Sequence, residues 1–298
     1  MIINRQNLAA VFVGFNTIFQ QAFITSTPNY TKIATVVPSN SKSEEYKWLG
    51  DVPKMKEWLD EREIQNLSGY DYEIKNKDFE LTIGIDRNDI EDDSIGIYTP
   101  VVQSIGQSAA MHPDELVFDL LANGFNKKCY DGVNFFDVGH KMGKQIYSNK
   151  GKKALTSVSY GEARASMMSI VNDQGKSFRA IPNLLVVPPQ LEGIARKILF
   201  AEIIDGTTNI YKDSAELLVL PELAANPTAW FLLDTSKPIK PLIFQQRKAP
   251  QFVAKDSIND DNVFFNKQFI YGTDSRDNAG YSLWQLAYGS TGETSEDA

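Results

Sequence analysis

Cysteine and histidine are scarce in this 298-residue chain, which has one cysteine, Cys129, and two histidines, His112 and His140. A single cysteine excludes an intramolecular disulfide framework and is typical of a small buried side chain in a reducing compartment. A Ser-His-Asp enzyme needs a well-placed histidine, and the sequence has no G-x-S-x-G turn to present a nucleophile. These shortages argue against an enzyme.

Ligand sets for cofactors and metals are missing as well. The sequence has neither a Walker loop nor a G-x-G-x-x-G turn, so nothing favours nucleotide binding. Asp137 and His140 lie three residues apart, but a structural zinc site needs more ligands than these two. The acidic run from Asp86 to Asp93 lacks the glycine turn of an EF-hand loop and suits the start of a helix. We expect no catalytic residue, no cofactor and no bound metal.

Positive charge is in short supply, with 30 lysines and arginines against 38 acidic residues and a net charge of -8. Nucleic-acid binders normally present a basic face, so we expect DNA to be contacted weakly and without sequence specificity. Hydrophobic residues make up 42% of the chain, which is enough for a sizeable core in one elaborated domain or two small ones.

An apolar segment near the N-terminus, residues 8–23, could be mistaken for a targeting signal. Its phenylalanines Phe12, Phe15 and Phe19 recur at helical spacing with polar residues between them, which predicts an amphipathic helix. No uninterrupted apolar run has the length of a membrane span, so we expect no membrane association. The sequence leaves two interpretations of the phenylalanine stripe open: packing in the core of the same chain, or docking of an N-terminal arm onto another subunit.

Alternation of apolar and polar residues dominates residues 40–87. The exit strand carries Phe79, and the entry strand carries Tyr46 and Trp48. This pattern predicts a long two-stranded hairpin with one short helical insert around residues 54–62. Because so small an excursion has too little apolar surface to be stable alone, we expect a neighbouring copy of the chain to cover it.

The rest of the chain mixes helices and strands. A Thr-Pro pair at 99–100 is typical of a helix start, and the apolar periodicity continues past Pro113 to Gly124, which predicts one long helix, kinked or restarted at the proline. Ser159 and Glu162 have the spacing of a capping box for a further helix. The other expected elements are an irregular loop at 130–156, a buried strand at 184–187, a helix at 191–198, strands at 217–220, 230–233, 242–246, 264–271 and 283–288, and a polar acidic tail from 289.

The order of several short motifs indicates a family resemblance. In chain order the motifs are Tyr46-Lys47-Trp48-Leu49-Gly50, Pro53, Glu57-Trp58, Arg62, Phe79-Glu80, Ile90-Glu91-Asp92-Asp93, His112-Pro113-Asp114-Glu115-Leu116, Leu120-Leu121, Gly124-Phe125, Cys129-Tyr130-Asp131-Gly132, Phe135-Phe136-Asp137, His140 and Val186-Val187-Pro188-Pro189. Together they resemble the major head proteins of Mu-like phages over nearly the whole chain. Lys141 follows His140 where we expect the family to favour proline, a departure that bears on the local loop shape.

The resemblance implies an α+β fold of the Hong Kong 97 type. The implied division is an N-terminal arm at 1–38, an extended hairpin (E-loop) at 39–88, a peripheral domain at 89–130 and 229–290, an α/β axial domain at 131–228, and an acidic tail at 291–298. The long helix would be the spine of the peripheral domain and would form the shell wall with the sheet beside it. The α/β unit would lie near the axis of each hexamer or pentamer.

The same resemblance implies a major capsid protein without enzymatic activity that assembles into an icosahedral head enclosing phage DNA. Its partners would be copies of itself in hexamers and pentamers, portal and scaffold proteins, a head maturation protease, and packaged double-stranded DNA contacted weakly. It would be located in the virion head, and in the host cytoplasm during assembly. Because the chain begins directly at the arm, scaffold and protease are expected to be separate proteins.

Two other functions stay open at this point. An encapsulin-like shell would keep the fold and enclose a protein cargo, and a hydrolase would use Asp137, His140 and nearby carboxylates. For a shell subunit, side chains of the arm and hairpin are the candidate interface anchors, with packing inside the hairpin's own insert as the alternative role of its tryptophans. The candidates are Phe12, Phe15, Phe19, Tyr46, Trp48, Trp58, Arg62, Tyr70 and Tyr72.

Overall fold

The computed structural model describes residues 2–50, 71–172 and 175–294. In these ranges the α-helices are α1 (Arg5–Thr25), α2 (Tyr30–Ile33), α3 (Arg87–Glu91), α4 (Thr99–Ala122), α5 (Ser157–Met168), α6 (Glu192–Phe200) and α7 (Asp261–Asn266). The strands are β1 (Ala34–Pro38), β2 (Ser43–Glu45), β3 (Glu73–Lys75), β4 (Lys77–Asp86), β5 (His140–Met142), β6 (Gln145–Tyr147), β7 (Lys150–Lys153), β8 (Leu184–Val187), β9 (Ile203–Ile204), β10 (Thr207–Thr208), β11 (Glu216–Val219), β12 (Trp230–Leu233), β13 (Leu242–Lys255), β14 (Gln268–Tyr281) and β15 (Ala287–Thr294).

A four-stranded sheet with the strand order β1-β13-β14-β4 forms one half of the fold. β13 and β14 are long antiparallel partners, β4 pairs antiparallel with β14, and β1 lies parallel to β13. The amphipathic helix predicted near the N-terminus is present as α1, which packs against α4 and the sheet. Phe15 and Phe19 of α1 reach the sheet at Tyr271 and Phe252.

Close approach of α1 and α4 depends on Gly106. A Cβ atom at this position would lie 2.5 Å from the carbonyl oxygen of Phe19 and 3.0 Å from the Cβ of Ala22. The first distance is far inside van der Waals contact and involves backbone, which cannot move aside cheaply. Glycine therefore sets the spacing between the two helices.

Helix α4 confirms the prediction of one long helix. It runs for 24 residues from Thr99, with Asn123 as its C-terminal cap just before Gly124. Pro113 lies inside the helix and is buried. Proline removes one backbone hydrogen bond, and the packing of this buried face offsets that loss.

A five-stranded sheet with the order β11-β8-β12-β15-β7 forms the other half. Every residue of β8 and β12 is buried, which explains their continuous apolar sequences. Helix α6 packs on β8 and β11, and α5 packs on β15. These elements make up the small α/β unit that the sequence predicts.

Residues 130–156, expected to be an irregular loop, contain three short strands. β5 and β6 form a hairpin, and β7 joins the five-stranded sheet beside β15. The sequence of β7, Lys-Gly-Lys-Lys, does not indicate a strand, because an edge strand made of lysines has no alternation of apolar and polar residues. The cap of α5 also differs from the prediction: Thr156 and Ser159 form its capping box, one turn before the expected pair Ser159 and Glu162.

Strand β15 occupies most of the segment expected to be a polar tail. It lies between β12 and β7, and Ser290 and Gly292 within it are buried. At Gly289 a Cβ atom would lie 2.9 Å from the ring of Phe136, so a larger residue does not fit. Because β15 consists largely of small residues packed in a crowded interior, its sequence has no apolar pattern that indicates a strand.

Three further segments differ from the expected organisation. β12 and β15 pair with each other, and β12 pairs with β8, so residues 230–233 and 287–290 lie in the sheet of the α/β unit and not with the peripheral elements. The predicted strand 264–271 is replaced by α7 and the start of β14 at Gln268. The Asn262 side chain closes this turn by donating hydrogen bonds to the carbonyl oxygens of Lys255 and Gln268.

Of the predicted hairpin, the base lies within the described residues. There β2 pairs antiparallel with β3, whereas β4 joins the four-stranded sheet. Ile74 packs on Gly280, and the Tyr46 hydroxyl donates a hydrogen bond to Gln245 at 2.8 Å. The expectation that a neighbouring copy covers the apolar face is wrong for this base, because the chain's own sheet covers it. The helical insert predicted for 54–62 lies outside the described residues.

Candidate functional site: assembly surfaces and buried polar pairs

The phenylalanine stripe of α1 faces the interior. Phe15 and Phe19 are buried, with ring centroids 5.1 Å from Tyr271 and 5.2 Å from Phe252, respectively. Phe12 is half-buried and stacks on Phe252 at 5.7 Å. All three side chains pack within the chain in this conformation, as in the core-packing interpretation of the stripe.

Three aromatic candidates lie at the base of the hairpin. Tyr46 is buried and lies edge-on to the half-buried ring of Trp48. The hydroxyl of half-buried Tyr72 accepts a hydrogen bond from the backbone N–H of Tyr281 at 2.8 Å, and burial raises the pKa of Tyr72 to about 12. These contacts fix the hairpin base on β14 while Trp48 and Tyr72 keep exposed edges. The remaining candidates, Trp58, Arg62 and Tyr70, lie outside the described residues.

Phe264 and Phe265 on α7 form an exposed aromatic pair that the sequence reasoning missed. Their side chains are 79% and 74% exposed, and their rings meet edge-on at 5.0 Å. Two adjacent rings exposed to water are costly unless a partner covers them. The sequence does contain one signal, which is that the two phenylalanines are adjacent. Neighbouring residues of a strand point to opposite faces, so in a strand one of the two rings would have no core to pack against.

A second exposed apolar patch surrounds the C-terminal end of α6. It consists of Phe200 at the end of the helix, Ile203 in β9 and Ile210 after β10. The two isoleucines are 65% and 80% exposed. Such a concentration of exposed apolar side chains is typical of a protein–protein contact.

His112 connects α4 to the four-stranded sheet. Its Nε2 lies 3.1 Å from Oδ1 of the buried Asp277 in β14, and its ring packs on Phe79 of β4 at 4.2 Å. The residue is thus engaged on both sides by its own chain. This arrangement supports the helix beside Pro113 and presents no nucleophile for catalysis.

Cys129, Asp131 and His140 form a buried polar cluster. Nδ1 of His140 lies 2.6 Å from Oδ2 of Asp131, and the Cys129 thiol donates a hydrogen bond to Oδ1 of the same carboxylate at 3.1 Å. Burial acts to raise the pKa of Asp131, but the hydrogen bond and charge of His140 outweigh it and hold that pKa below its usual range. Burial raises the pKa of the Cys129 thiol far above its usual range.

The residue types of the cluster are those of a zinc site, but the distances between their ligand atoms are those of hydrogen bonds. Its three ligand atoms lie within 4.8 Å of one another. Two ligand atoms bound to one tetrahedral zinc ion lie roughly 3.4 Å apart, whereas Nδ1 and Oδ2 are separated by 2.6 Å. The arrangement therefore fits protons between the ligands and not a metal ion.

Asp137 and His140, the pair considered for a hydrolase, are engaged in holding a loop. His140 is fully buried and its ring stacks on Trp284 at 4.2 Å. Oδ1 of Asp137 accepts hydrogen bonds from the backbone N–H groups of Val138 and Gly139. A substrate has no access to the imidazole, so the pair supplies no catalytic site.

Among the described residues, α1 is the helix that is long and apolar enough to cross a membrane, contrary to the expectation that no segment has that length. Core helices of soluble proteins and signal sequences have the same composition. The buried positions of α1 are Leu8, Val11, Phe15 and Phe19, which pack inside the chain and account for part of its hydropathy.

Comparison with known proteins identifies close relatives in sequence. The family model of the Mu-like prophage major head subunit gpT matches residues 8–153, 144–223 and 222–298. The major capsid protein of Escherichia phage Mu is 35% identical over 297 residues, which cover 100% of this chain and 77% of that protein. The Mu-like prophage FluMu major head subunit of Haemophilus influenzae is 32% identical over 284 residues, covering 95% of this chain and 73% of that protein.

Solved structures agree with these relatives. A chain from the procapsid of bacteriophage JBD30 has a TM-score of 0.64 and 33% identity, covering 99% of this chain and 78% of that chain. A phage-related protein of Bordetella bronchiseptica, 12% identical with a TM-score of 0.56, shares the fold over 93% of this chain and 96% of its own. The predicted α+β fold of the Hong Kong 97 type is thereby confirmed, and the chain belongs to the family of Mu-like prophage major head subunits.

Proposed function

We propose that copies of this chain assemble as hexamers and pentamers that close into an icosahedral shell around double-stranded DNA. As a Mu-like major head subunit, the chain is a structural capsid protein of the virion and not an enzyme. The observation that carries the proposal is the match to a procapsid chain at 33% identity over 99% of this chain. A subunit that repeats one heterologous contact closes rings, and rings can tile a shell.

The proposed contacts between copies include the two exposed apolar patches. Phe264 and Phe265 supply one, and the group around Ile203 and Ile210 supplies the other. Aromatic side chains that become buried on association are the usual anchors of an interface.

The sequence-based candidates divide into two groups in this proposal. Phe12, Trp48 and Tyr72 have exposed edges and are proposed anchors, together with Trp58, Arg62 and Tyr70 of the hairpin. Phe15, Phe19 and Tyr46 are buried, so they would touch a neighbouring copy only if the arm or the hairpin left its own sheet.

The two sheets suggest how the subunit is placed in the shell. We assign the four-stranded sheet and the spine helix α4 to the peripheral domain, with α1 as the N-terminal arm. The five-stranded sheet, α5 and α6 are assigned to the axial domain, near the axis of each hexamer or pentamer. This assignment moves β12 and β15 from the peripheral to the axial domain, in keeping with their pairing to β8 and β7.

The finer partners follow from the same role. We propose that assembly takes place in the host cytoplasm with scaffold and portal proteins and a head maturation protease. Packaged DNA would be contacted weakly and non-specifically, since a chain of net charge -8 offers few counter-charges to phosphate. No contact with a membrane is part of this proposal.

The test is assembly of a variant in which Phe264 and Phe265 are both replaced by serine. The variant, co-expressed with the scaffold gene, is expected to remain soluble and folded but to yield no closed particles by sedimentation and electron microscopy. Val138→Ser is the matched control, because Val138 is also exposed, at 64%, but lies outside both patches. Normal shells from the double variant would contradict the assigned contact, and failure of the unmodified chain to form any shell would contradict the proposed function.

A further inference from the structure

The segment 129–149 lies in the seam between the two sheets. Phe135 stacks on Tyr281 of the four-stranded sheet, with ring centroids 4.5 Å apart. The adjacent Phe136 packs on Phe231 of the five-stranded sheet at 5.3 Å. Whatever holds this segment in place therefore also holds the two sheets together.

Asn149 fixes one side of the His140 ring. Its side-chain amide nitrogen donates to the carbonyl oxygens of Phe135, Trp284 and Ala287 at 2.8, 3.3 and 3.2 Å. With the nitrogen so placed, the amide oxygen faces Nε2 of His140 at 3.1 Å. An amide oxygen accepts hydrogen bonds and cannot donate them, so Nε2 carries a hydrogen.

The other side of the ring then requires a proton as well. Nδ1 of His140 lies 2.6 Å from Oδ2 of Asp131. Two bare lone pairs cannot approach so closely inside a protein, so one proton must lie between them. The geometry points to a latch: the buried His140–Asp131 pair shares one proton, and this charge-assisted bond locks segment 129–149 between the two sheets.

Other groups around the pair support one shared proton. The Cys129 thiol and the backbone N–H of Val133 donate to the other oxygen of Asp131 at 3.1 and 3.2 Å, and Trp284 covers the face of the imidazole. Among the remaining titratable neighbours, Tyr147 pairs with His140 across the β5–β6 hairpin, Asp137 is occupied by backbone N–H groups, and Tyr130 donates to Gln285. At low pH a second proton would leave both Nδ1 of His140 and the Asp131 carboxyl with a hydrogen directed at the other, and the buried pair would separate.

Nuclear magnetic resonance of the full chain, labelled with nitrogen-15 in histidine, tests the shared proton directly. The chain has two histidines, so the His112→Gln variant identifies the signals of His140. At neutral pH we expect both ring nitrogens of His140 to carry protons, with the Nδ1 proton shifted far downfield and slow to exchange. A free lone pair on Nδ1 overturns the inference, and so does a rise in melting temperature with zinc accompanied by loss of the Nδ1 proton.

Hydrogen exchange measured by mass spectrometry tests the latch. Asp131→Asn and His140→Gln are each expected to speed exchange in residues 129–149 by about tenfold or more, while the double variant is no worse than the poorer single variant. His112→Gln is the matched control, because it breaks the other His–Asp contact and should leave exchange in this segment unchanged. Equal effects from the control, or additive effects in the double variant, overturn the latch. The resonance experiment uses the wild-type ring at His140, so it decides the shared proton even where a variant fails to fold.

Discussion

Phenylalanines occupy opposite settings on α1 and α7. Phe15 and Phe19 are spaced one helical turn apart and are buried against β13 and β14, whereas Phe264 and Phe265 are adjacent and are both largely exposed. Helical spacing gives one face of rings that a sheet can cover, while adjacent rings on a short helix cannot share one face. The comparison separates aromatic residues that stabilise the single subunit from those available to a neighbouring copy.

The largest effect should come from removing a ring on the buried side of this comparison. Phe19→Ala is expected to lower the free energy of unfolding by about 3–5 kcal/mol, because it leaves a cavity between α1 and the sheet. Phe264→Ala is the control and should change it by less than about 0.5 kcal/mol. Urea unfolding followed by circular dichroism measures both, and similar losses in the two variants would contradict the assigned settings.

Two glycines, one on α4 and one on α1, give the next largest effect. Gly106→Ala is expected to lower the free energy of unfolding by about 1–3 kcal/mol, because the new methyl group would clash with the backbone of Phe19. Gly14 in α1 has nothing near the position of a Cβ atom, so Gly14→Ala should stabilise the helix by up to about 1 kcal/mol. Thermal melting of both variants measures how tightly α1 packs against α4. A neutral Gly106→Ala would show that the helices can separate without cost.

Acidic side chains extend the comparison of buried and exposed groups to pH. The folded-state pKa of Asp131 is depressed, so its stabilising contribution is present above the unfolded value and is lost as the pH falls through the folded value. Asp131→Asn should remove this acid-dependent loss from a series of unfolding curves recorded at decreasing pH. Asp205→Asn, which removes an exposed ion pair with Lys197, is the control for the loss of a surface carboxylate and should change the free energy of unfolding little.

The smallest change in subunit stability is expected from shortening the hairpin. Replacing residues 50–66 with a tight Asn-Gly turn should preserve the circular dichroism spectrum and melting temperature, since the core residues in the described part of the chain lie outside this segment. Assembly with scaffold should nevertheless fail, as judged by sedimentation of particles. Closed shells of normal size would mean that the hairpin plays no part in assembly, and an unfolded variant would place the hairpin in the core.

Periodicity explains which elements the sequence could predict. Helices α1, α4 and α6 carry apolar residues at helical spacing, and β8 and β12 carry unbroken apolar runs, so each has a local signal. β7 and β15 have none: one reads Lys-Gly-Lys-Lys and the other is rich in glycine, serine and threonine. Their strand structure depends on pairing partners far away in the chain, and such tertiary pairing overrides local preference.

The functional residues were harder to predict than the elements. For His140 the sequence suggested Asp137, three residues away, but its partner is Asp131, nine residues before it. The sequence predicts a strand over Phe264 and Phe265, because the turn closed by the Asn262 side chain has no periodic signal. Both errors have the same cause, because side-chain proximity here is set by turns that carry no periodic signal.

Strand β15 lies between β12 and β7, although it follows β7 in the chain by nearly half the sequence. During translation the ribosome releases β7 and β12 well before β15, so the five-stranded sheet stays open between them until this late strand arrives. Pairing over such a sequence distance is slow to form. A nascent subunit therefore cannot present finished surfaces to its neighbours, and completion of this sheet delays self-association until β15 has been synthesised and paired.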